Sequence, residues 1–229
     1  SVERLTGAPL GDDPDRWEEW WRTRKGSWKP AADPGAPPPG PRPAAGESTA
    51  RFYDIPVDGD RVAFVIDTSR SMLDPARLGE EATKMQVALG QVARTFASLR
   101  EDVSFNVVAF GTVVEAWKPR AVPAGPSSKY EALRFLQKRP LEGRTNIFDA
   151  LAAAMADDEV DTIFLLTDGA PTEGEETGRS GFLAGLGWLR RWRPVRVHCV
   201  EVGASNTGSR WKGFLAEVAA ACGGVHVAK

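Results

Sequence analysis

A chain of 229 residues has room for one large domain, or for one ordinary α/β domain with an appendage. Its 29 basic and 31 acidic residues leave a net charge of −2, which removes any chain-wide attraction to nucleic acid or to anionic lipid. No stretch approaches the roughly 20 apolar residues that cross a bilayer, so the expected partner is neither a nucleic acid nor a membrane, and no compartment is specified.

Composition divides the chain into a Trp-rich helical segment (1–29), a Pro/Ala/Gly-rich linker (30–50) and an alternating strand and helix domain (51–229). Asp13-Pro14 opens a short helix over about 14–25, since Asp accepts orphan N–H bonds and Pro at the first helical position has no N–H to leave unpaired. Trp17, Trp20, Trp21 and Arg24 share one face of it, and so short a helix needs a surface to cover, either the main domain or a neighbouring domain. The segment from Lys29 to Gly46 is too rich in Pro and Gly for a helix or an inner strand and reads as a tether.

From Arg61 the pattern is that of a doubly wound α/β fold. RVAFVID (61–67) is a near-continuous apolar run, as parallel strands buried on both faces require. A helix at about 80–99 leads to a strand at 104–111. VVEAWKP (113–119) follows too closely for a crossover helix, so a hairpin and one antiparallel edge strand are expected. Helices at about 128–138 and 146–156 precede the second central strand, DTIFLLTDG (161–169). A helix near 180–192 leads to VRVHCVEVG (195–203), and a last helix over about 209–222 is stopped by Gly223-Gly224 before a short strand at 225–228. The expectation is a mostly parallel sheet of about six strands with helices on both faces. Cys199 and Cys222 form no CxxC pattern and are read as buried small apolar side chains.

Both central strands end in carboxylates. RVAFVID runs into Asp67-Thr68-Ser69-Arg70-Ser71, and IFLLTDG ends at Asp168. In open α/β sheets the ligand crevice lies outside the carboxyl ends of the strands, where the winding direction reverses. If the two strands are neighbours there, Asp67 and Asp168 face each other, and Gly143-Arg144-Thr145-Asn146 supplies a third loop. The ligand set Asp67, Ser69, Ser71, Thr145 and Asp168 offers oxygen only, which selects a hard cation. Mg²⁺, with six oxygens at about 2.1 Å and several retained waters, suits short side chains on three loops; Ca²⁺ favours more carboxylates. If the hydroxyls bind directly and the carboxylates through water, the ion stays electrophilic and one position is left for an outside anionic oxygen.

DTSRS followed by Met72 resembles the DxSxS core of the metal-ion-dependent adhesion site in von Willebrand factor type A domains. GRTNIFDAL (143–151) resembles that family's threonine loop, and TDGAPTEG (167–174) its second-aspartate loop. The likeness runs through about 170 residues and matches all five metal positions. It implies a Rossmann-like sheet with one antiparallel edge strand and Mg²⁺ as cofactor, with Mn²⁺ or Ca²⁺ as substitutes. Arg70 stands where many members have Gly, and its guanidinium could oppose the metal or clasp an incoming carboxylate. LTGAPLGDDPDRWEEWW and ARFYDIPVDGDRVAFVID are also similar to segments of bacterial proteins in which helical repeats precede such a domain.

Each ligand has an ordinary structural role open to it: Ser69, Ser71 or Thr145 as a helix cap, and Asp168-Gly169 as a turn. Their joint placement at the crevice favours the metal. His198 and His226 sit among apolar strand residues and are read as structural, which leaves no histidine metal site or Ser-His-Asp triad. Trp188 and Trp192 are expected on a helix's core face beside the solvated Arg190, Arg191 and Arg193, and Glu173, Glu175 and Glu176 on a solvated rim. The sequence thus points to a non-enzymatic, metal-dependent module that binds a protein offering a Glu or Asp carboxylate, with neighbouring domains outside this chain. The alternatives are a scaffold domain of a larger bacterial assembly holding a structural metal, and a metal-dependent hydrolase, for which no phosphate loop or second-metal carboxylate pair is present.

Overall fold

A small hairpin of β1 (Arg51–Phe52) and β2 (Ile55–Pro56) turns at Tyr53 and Asp54, whose φ angles are 46° and 69°. Two successive left-handed residues give the turn that right-twisted antiparallel strands prefer. Fully buried Phe52 meets Phe64 and Phe164 edge-on at centroid distances of 5.4 and 5.7 Å, so an aromatic contact fastens the hairpin to the main sheet. The computed structural model describes residues 50–77, 81–141, 143–175, 177–191, 193–203 and 211–229. The Trp-rich helix and all but the last residue of the linker lie outside these, as do Trp192 and Glu176.

The main sheet contains β3 (Arg61–Asp67), β4 (Ser104–Phe110), β5 (Val114–Ala116), β6 (Val122–Pro123), β7 (Thr162–Thr167), β8 (Arg196–Glu201) and β9 (His226–Ala228). Its order is β5-β4-β3-β7-β8-β9, with β6 also on β4. The pairs among β3, β4, β7, β8 and β9 are parallel, and β5 and β6 run antiparallel to β4. The fold class expected from the sequence is therefore found, with two changes. The β1–β2 hairpin was not anticipated, and the edge strand expected over 113–119 is cut to Val114–Ala116, with a second antiparallel strand following at Val122–Pro123. The cause of the second change is Asn106, buried in β4, whose side chain bonds both backbone groups of Lys118, at 2.8 and 3.2 Å, in place of a regular ladder. Pro119 then has no N–H with which to resume pairing.

The helices are α1 (Lys84–Ser98), α2 (Pro126–Gln137), α3 (Ile147–Met155), α4 (Arg179–Arg190) and α5 (Phe214–Ala221). Residues alternate across β3 with the strand period of two. Val62, Phe64 and Ile66 join a core with Val92 and Phe96 of α1 and Leu136 of α2. Ala63 and Val65 face the other core, built with Leu151 of α3, Phe182 and Leu186 of α4, and Val218 of α5. Cys199 and Cys222 are free thiols buried in this second core, and burial pushes both pKa values up.

Helix α1 starts later than hydrophobic periodicity suggests because a reciprocal capping box fixes it: Thr83 Oγ1 accepts from Gln86 N–H at 3.2 Å, and Gln86 Oε1 accepts from Thr83 N–H at 2.8 Å. Helix α4 differs from expectation. Its buried residues are Phe182 and Leu186, whereas Trp188 is 61% exposed, with the Arg191 guanidinium 3.7 Å from the ring centroid. Nor is the basic flank simply solvated. Arg193 donates to the carbonyls of Met155, Asp157 and Val160 beyond and at the end of α3, and Arg190 to those of Val195 and Ala221. The carbonyls of Met155 and Ala221 stand at helix ends, where intrahelical partners are lacking, and these guanidiniums supply donors to them. Among the described residues, no helix is long and apolar enough to cross a membrane.

Candidate functional site

The chain winds from β3 to β4 on one side and places β7 on the other, so the winding reverses between β3 and β7. These strands are parallel neighbours, with Ile66 opposite Leu166, which brings the loops after Asp67 and Thr167 side by side at the carboxyl edge. Asp67, Ser69 and Asp168 are buried and Ser71 is half-buried.

Four of the five residues singled out in the sequence form one hydrogen-bonded chain. Asp67 Oδ1 accepts from Ser69 N–H at 2.8 Å, and the Ser69 and Ser71 hydroxyl oxygens lie 3.1 Å apart. Ser71 Oγ donates to Asp168 Oδ1 at 2.8 Å. Thr145 is buried, and among the described residues its hydroxyl has no hydrogen bond to the other four. Its backbone ties its loop to the Asp168 loop instead: Thr145 N–H donates to Thr172 Oγ1 at 3.0 Å, and Thr172 N–H to Thr145 carbonyl oxygen at 2.9 Å.

The ordinary capping role open to Thr145 is taken by its neighbour, and that open to Ser69 is not used. Asn146, not Thr145, caps α3, its Oδ1 accepting from Asp149 N–H at 3.3 Å. Ser69 precedes the 3₁₀ turn Arg70–Leu73 without a side-chain capping bond. Asp168 turns toward Ser71 and Lys84. Arg70 is exposed.

Asp67 is the buried charge on which the site is built. Its Oδ2 accepts from Thr167 Oγ1 at 2.5 Å, and both named donors to this carboxylate, Thr167 and Ser69, are neutral. Burial pushes its pKa up to about 6, opposed by those hydrogen bonds, with the Asp168 charge adding a smaller upward push. A buried carboxylate held by neutral donors is a position that a cation would relieve. The donors here are carboxylate and hydroxyl oxygens, which fit a hard ion such as Mg²⁺. Among the described residues, no group of three or more His, Cys, Asp and Glu side chains is placed to hold a metal, so hydroxyls are needed for such a role.

Lys84 is a functional candidate that the sequence reading missed. Its Nζ lies 2.7 Å from Asp168 Oδ2. The Thr83 capping box marks Lys84 as the first residue of α1, yet nothing in the local pattern announces a contact 84 positions away. Beside the first loop a groove of about 330 Å³ is lined by Thr68, Gly111, Thr112, Glu115 and Arg139. On the rim, Arg144 and Glu173 approach to 3.6 Å with both side chains substantially exposed, an arrangement that contributes little to stability. His226 pairs with Glu201 at 3.1 Å, and His198 stacks on Phe164, both away from the site in structural roles.

A doubly wound, mostly parallel sheet with serine, threonine and aspartate loops at its switch point defines a class of α/β domain, and the comparisons place the chain in a family of that fold. The sequence profile of the von Willebrand factor type A domain matches residues 60–227, and the chain belongs to that family. It is 27% identical over 164 residues to human von Willebrand factor A domain-containing protein 3A, covering 72% of this chain and 13% of that protein. It is 32% identical over 131 residues to human inter-alpha-trypsin inhibitor heavy chain H4, covering 52% of this chain and 13% of the relative. The chain thus spans about an eighth of the length of these relatives. Among solved structures, von Willebrand factor type A from Catenulispora acidiphila superposes with a TM-score of 0.60 at 22% identity, over 74% of this chain and 38% of that one, a likeness of fold.

Proposed function

We propose that this domain is a divalent-metal-dependent protein-binding module in which Asp67, Ser69, Ser71, Thr145 and Asp168 hold Mg²⁺. A partner protein engages it through a Glu or Asp carboxylate. The observation that carries this reading is the chain Asp67–Ser69–Ser71–Asp168, in which carboxylates at the ends of two neighbouring strands are linked through the Ser69 amide and the Ser69 and Ser71 hydroxyls at the switch point. Membership of a family used for protein interaction supports the broader part of it.

When bound, the ion supplies a Lewis-acidic position for an anionic oxygen. The serine hydroxyls contribute oxygen without full charge and so leave that position attractive to an anion. Thr167 and the Ser69 amide hold Asp67, while the Thr145–Thr172 backbone bonds keep the third loop against the Asp168 loop. The groove lined by Thr68, Thr112 and Arg139 gives the residues flanking a partner's carboxylate somewhere to lie.

The test is retention of a peptide library, with and without a central Glu or Asp, on the immobilised chain in Mg²⁺ and in EDTA. Acidic peptides are expected to be retained in Mg²⁺ alone and released by Asp67→Ala. Equal retention in EDTA would make the domain a scaffold whose metal, if any, is structural.

A further inference from the structure

The Asp168 carboxylate is divided between two donors. Ser71 Oγ takes Oδ1 at 2.8 Å, and Lys84 Nζ takes Oδ2 at 2.7 Å, with Asp74 Oδ2 a further 3.8 Å contact for the ammonium. The Lys84 side chain is 11% exposed and that of Asp168 is 3% exposed, so this ion pair is shielded from water, unlike the rim pairs. Its placement is specified from several directions. The Thr83 capping box sets the start of α1, and the Lys84 amide donates to Asp74 carbonyl oxygen at 3.0 Å. Gly203, just after β8 at φ +80°, leaves the space through which the stem passes. A Cβ on that residue would fall 2.6 Å from Lys84 Cε and 3.5 Å from Nζ.

We propose that Lys84 is a tethered monovalent counter-ion that shares Asp168 with the metal and sets the site's affinity for it, an inference that rests on the metal-binding reading above. Asp67 and Asp168 with Lys84 carry one net negative formal charge, where the two carboxylates alone would carry two. The lysine therefore weakens the pull on a divalent ion. It also leaves the loaded site one unit more positive than the carboxylates alone would, and so more attractive to an anionic partner. Without metal, the ammonium keeps Asp168 from being a buried, uncompensated charge, which is strongly destabilising.

The experiment is calorimetric titration of metal-stripped wild-type chain and Lys84→Met with Mg²⁺, paired with thermal melts in EDTA and in saturating Mg²⁺. Methionine keeps much of the stem's length and removes the charge. Lys84→Met is expected to bind Mg²⁺ on the order of tenfold more tightly, to melt below wild type in EDTA, and to recover more than wild type when Mg²⁺ is added. Saturable binding in both proteins, with Lys84→Met no tighter than wild type, overturns the role given to Lys84 and leaves the metal site standing. A Lys84→Met chain that stays unfolded in saturating Mg²⁺ also overturns it, because the ion then cannot stand in for the ammonium. Absence of saturable binding in wild type, with cooperative melting, overturns the metal reading and this inference together.

Discussion

Thr167, the last residue of β7, donates its hydroxyl to Asp67 Oδ2 at 2.5 Å and so holds the carboxylate that ends β3, one hundred positions earlier in the chain. The same Oγ1 accepts from Gly169 N–H at 3.2 Å, which ties it into the loop that carries Asp168. Thr167→Val keeps the shape and removes the hydroxyl. A fully buried carboxylate oxygen is then left short of a donor, and the expected loss is about 1–3 kcal/mol or more, since the acceptor is a charged group. Urea unfolding in EDTA measures it, and a loss below about 0.5 kcal/mol would place the support of Asp67 elsewhere.

Gly174 controls the threonine loop at a distance. Its φ is +107°, and a Cβ there would fall 2.1 Å from Asn146 Oδ1, the atom that caps α3 next to Thr145. Gly174→Ala combines backbone strain with displacement of that cap, an expected cost of about 1–3 kcal/mol. Mg²⁺ affinity should fall as well, because the Thr145 loop moves with Asn146. Retained stability and retained affinity in paired denaturation and titration experiments would show that the loop absorbs the methyl group without shifting.

The pH dependence of stability is expected to report on His198. Burial pushes its pKa down to about 4, with Arg196 adding to the shift and Asp58 opposing it. Nδ1 accepts from Val225 N–H at 3.1 Å, which leaves the ring proton on the buried Nε2. Above about pH 6.5 the ring is neutral in both folded and unfolded chains and does not alter stability with pH. As the pH falls below that value the unfolded chain takes up the proton first, so stability drops across the window from about 6.5 to about 4. The full drop is at most about 3 kcal/mol. Between pH 7.5 and 5, wild type should lose more stability than His198→Gln in urea titrations; parallel curves would contradict the assignment.

The parts of the fold legible in the sequence were those written in short-range periodicity. The run from Val62 to Ile66 had to be buried on both faces, and strands of that kind place their terminal aspartates at a sheet edge where loops converge. Asp67, Ser69, Ser71 and Asp168 could be grouped for the same reason, through chain order and the winding rule, whereas the hydroxyl of Thr145 does not join them among the described residues. Less legible were relationships settled by distant partners. The β1–β2 hairpin depends on Phe52 reaching Phe64 and Phe164, and its Tyr53-Asp54 turn lacks the Asn-Gly signature that marks such turns. The split edge depends on a single asparagine in β4 facing Lys118. Trp188 fell on the apparent core stripe of α4, but Arg191 covers its exposed ring. Lys84 stands in a sequence context indistinguishable from that of any solvated lysine near a helix start.

The central claim, that the loops after β3 and β7 hold a divalent ion, is tested most directly by calorimetric titration of metal-stripped chain with Mg²⁺, comparing wild type with Asp67→Ala. Saturable single-site binding in wild type that disappears in a still-folded Asp67→Ala chain is the predicted result. Identical heats in the two proteins, or no binding by a cooperatively folded wild type, would contradict it.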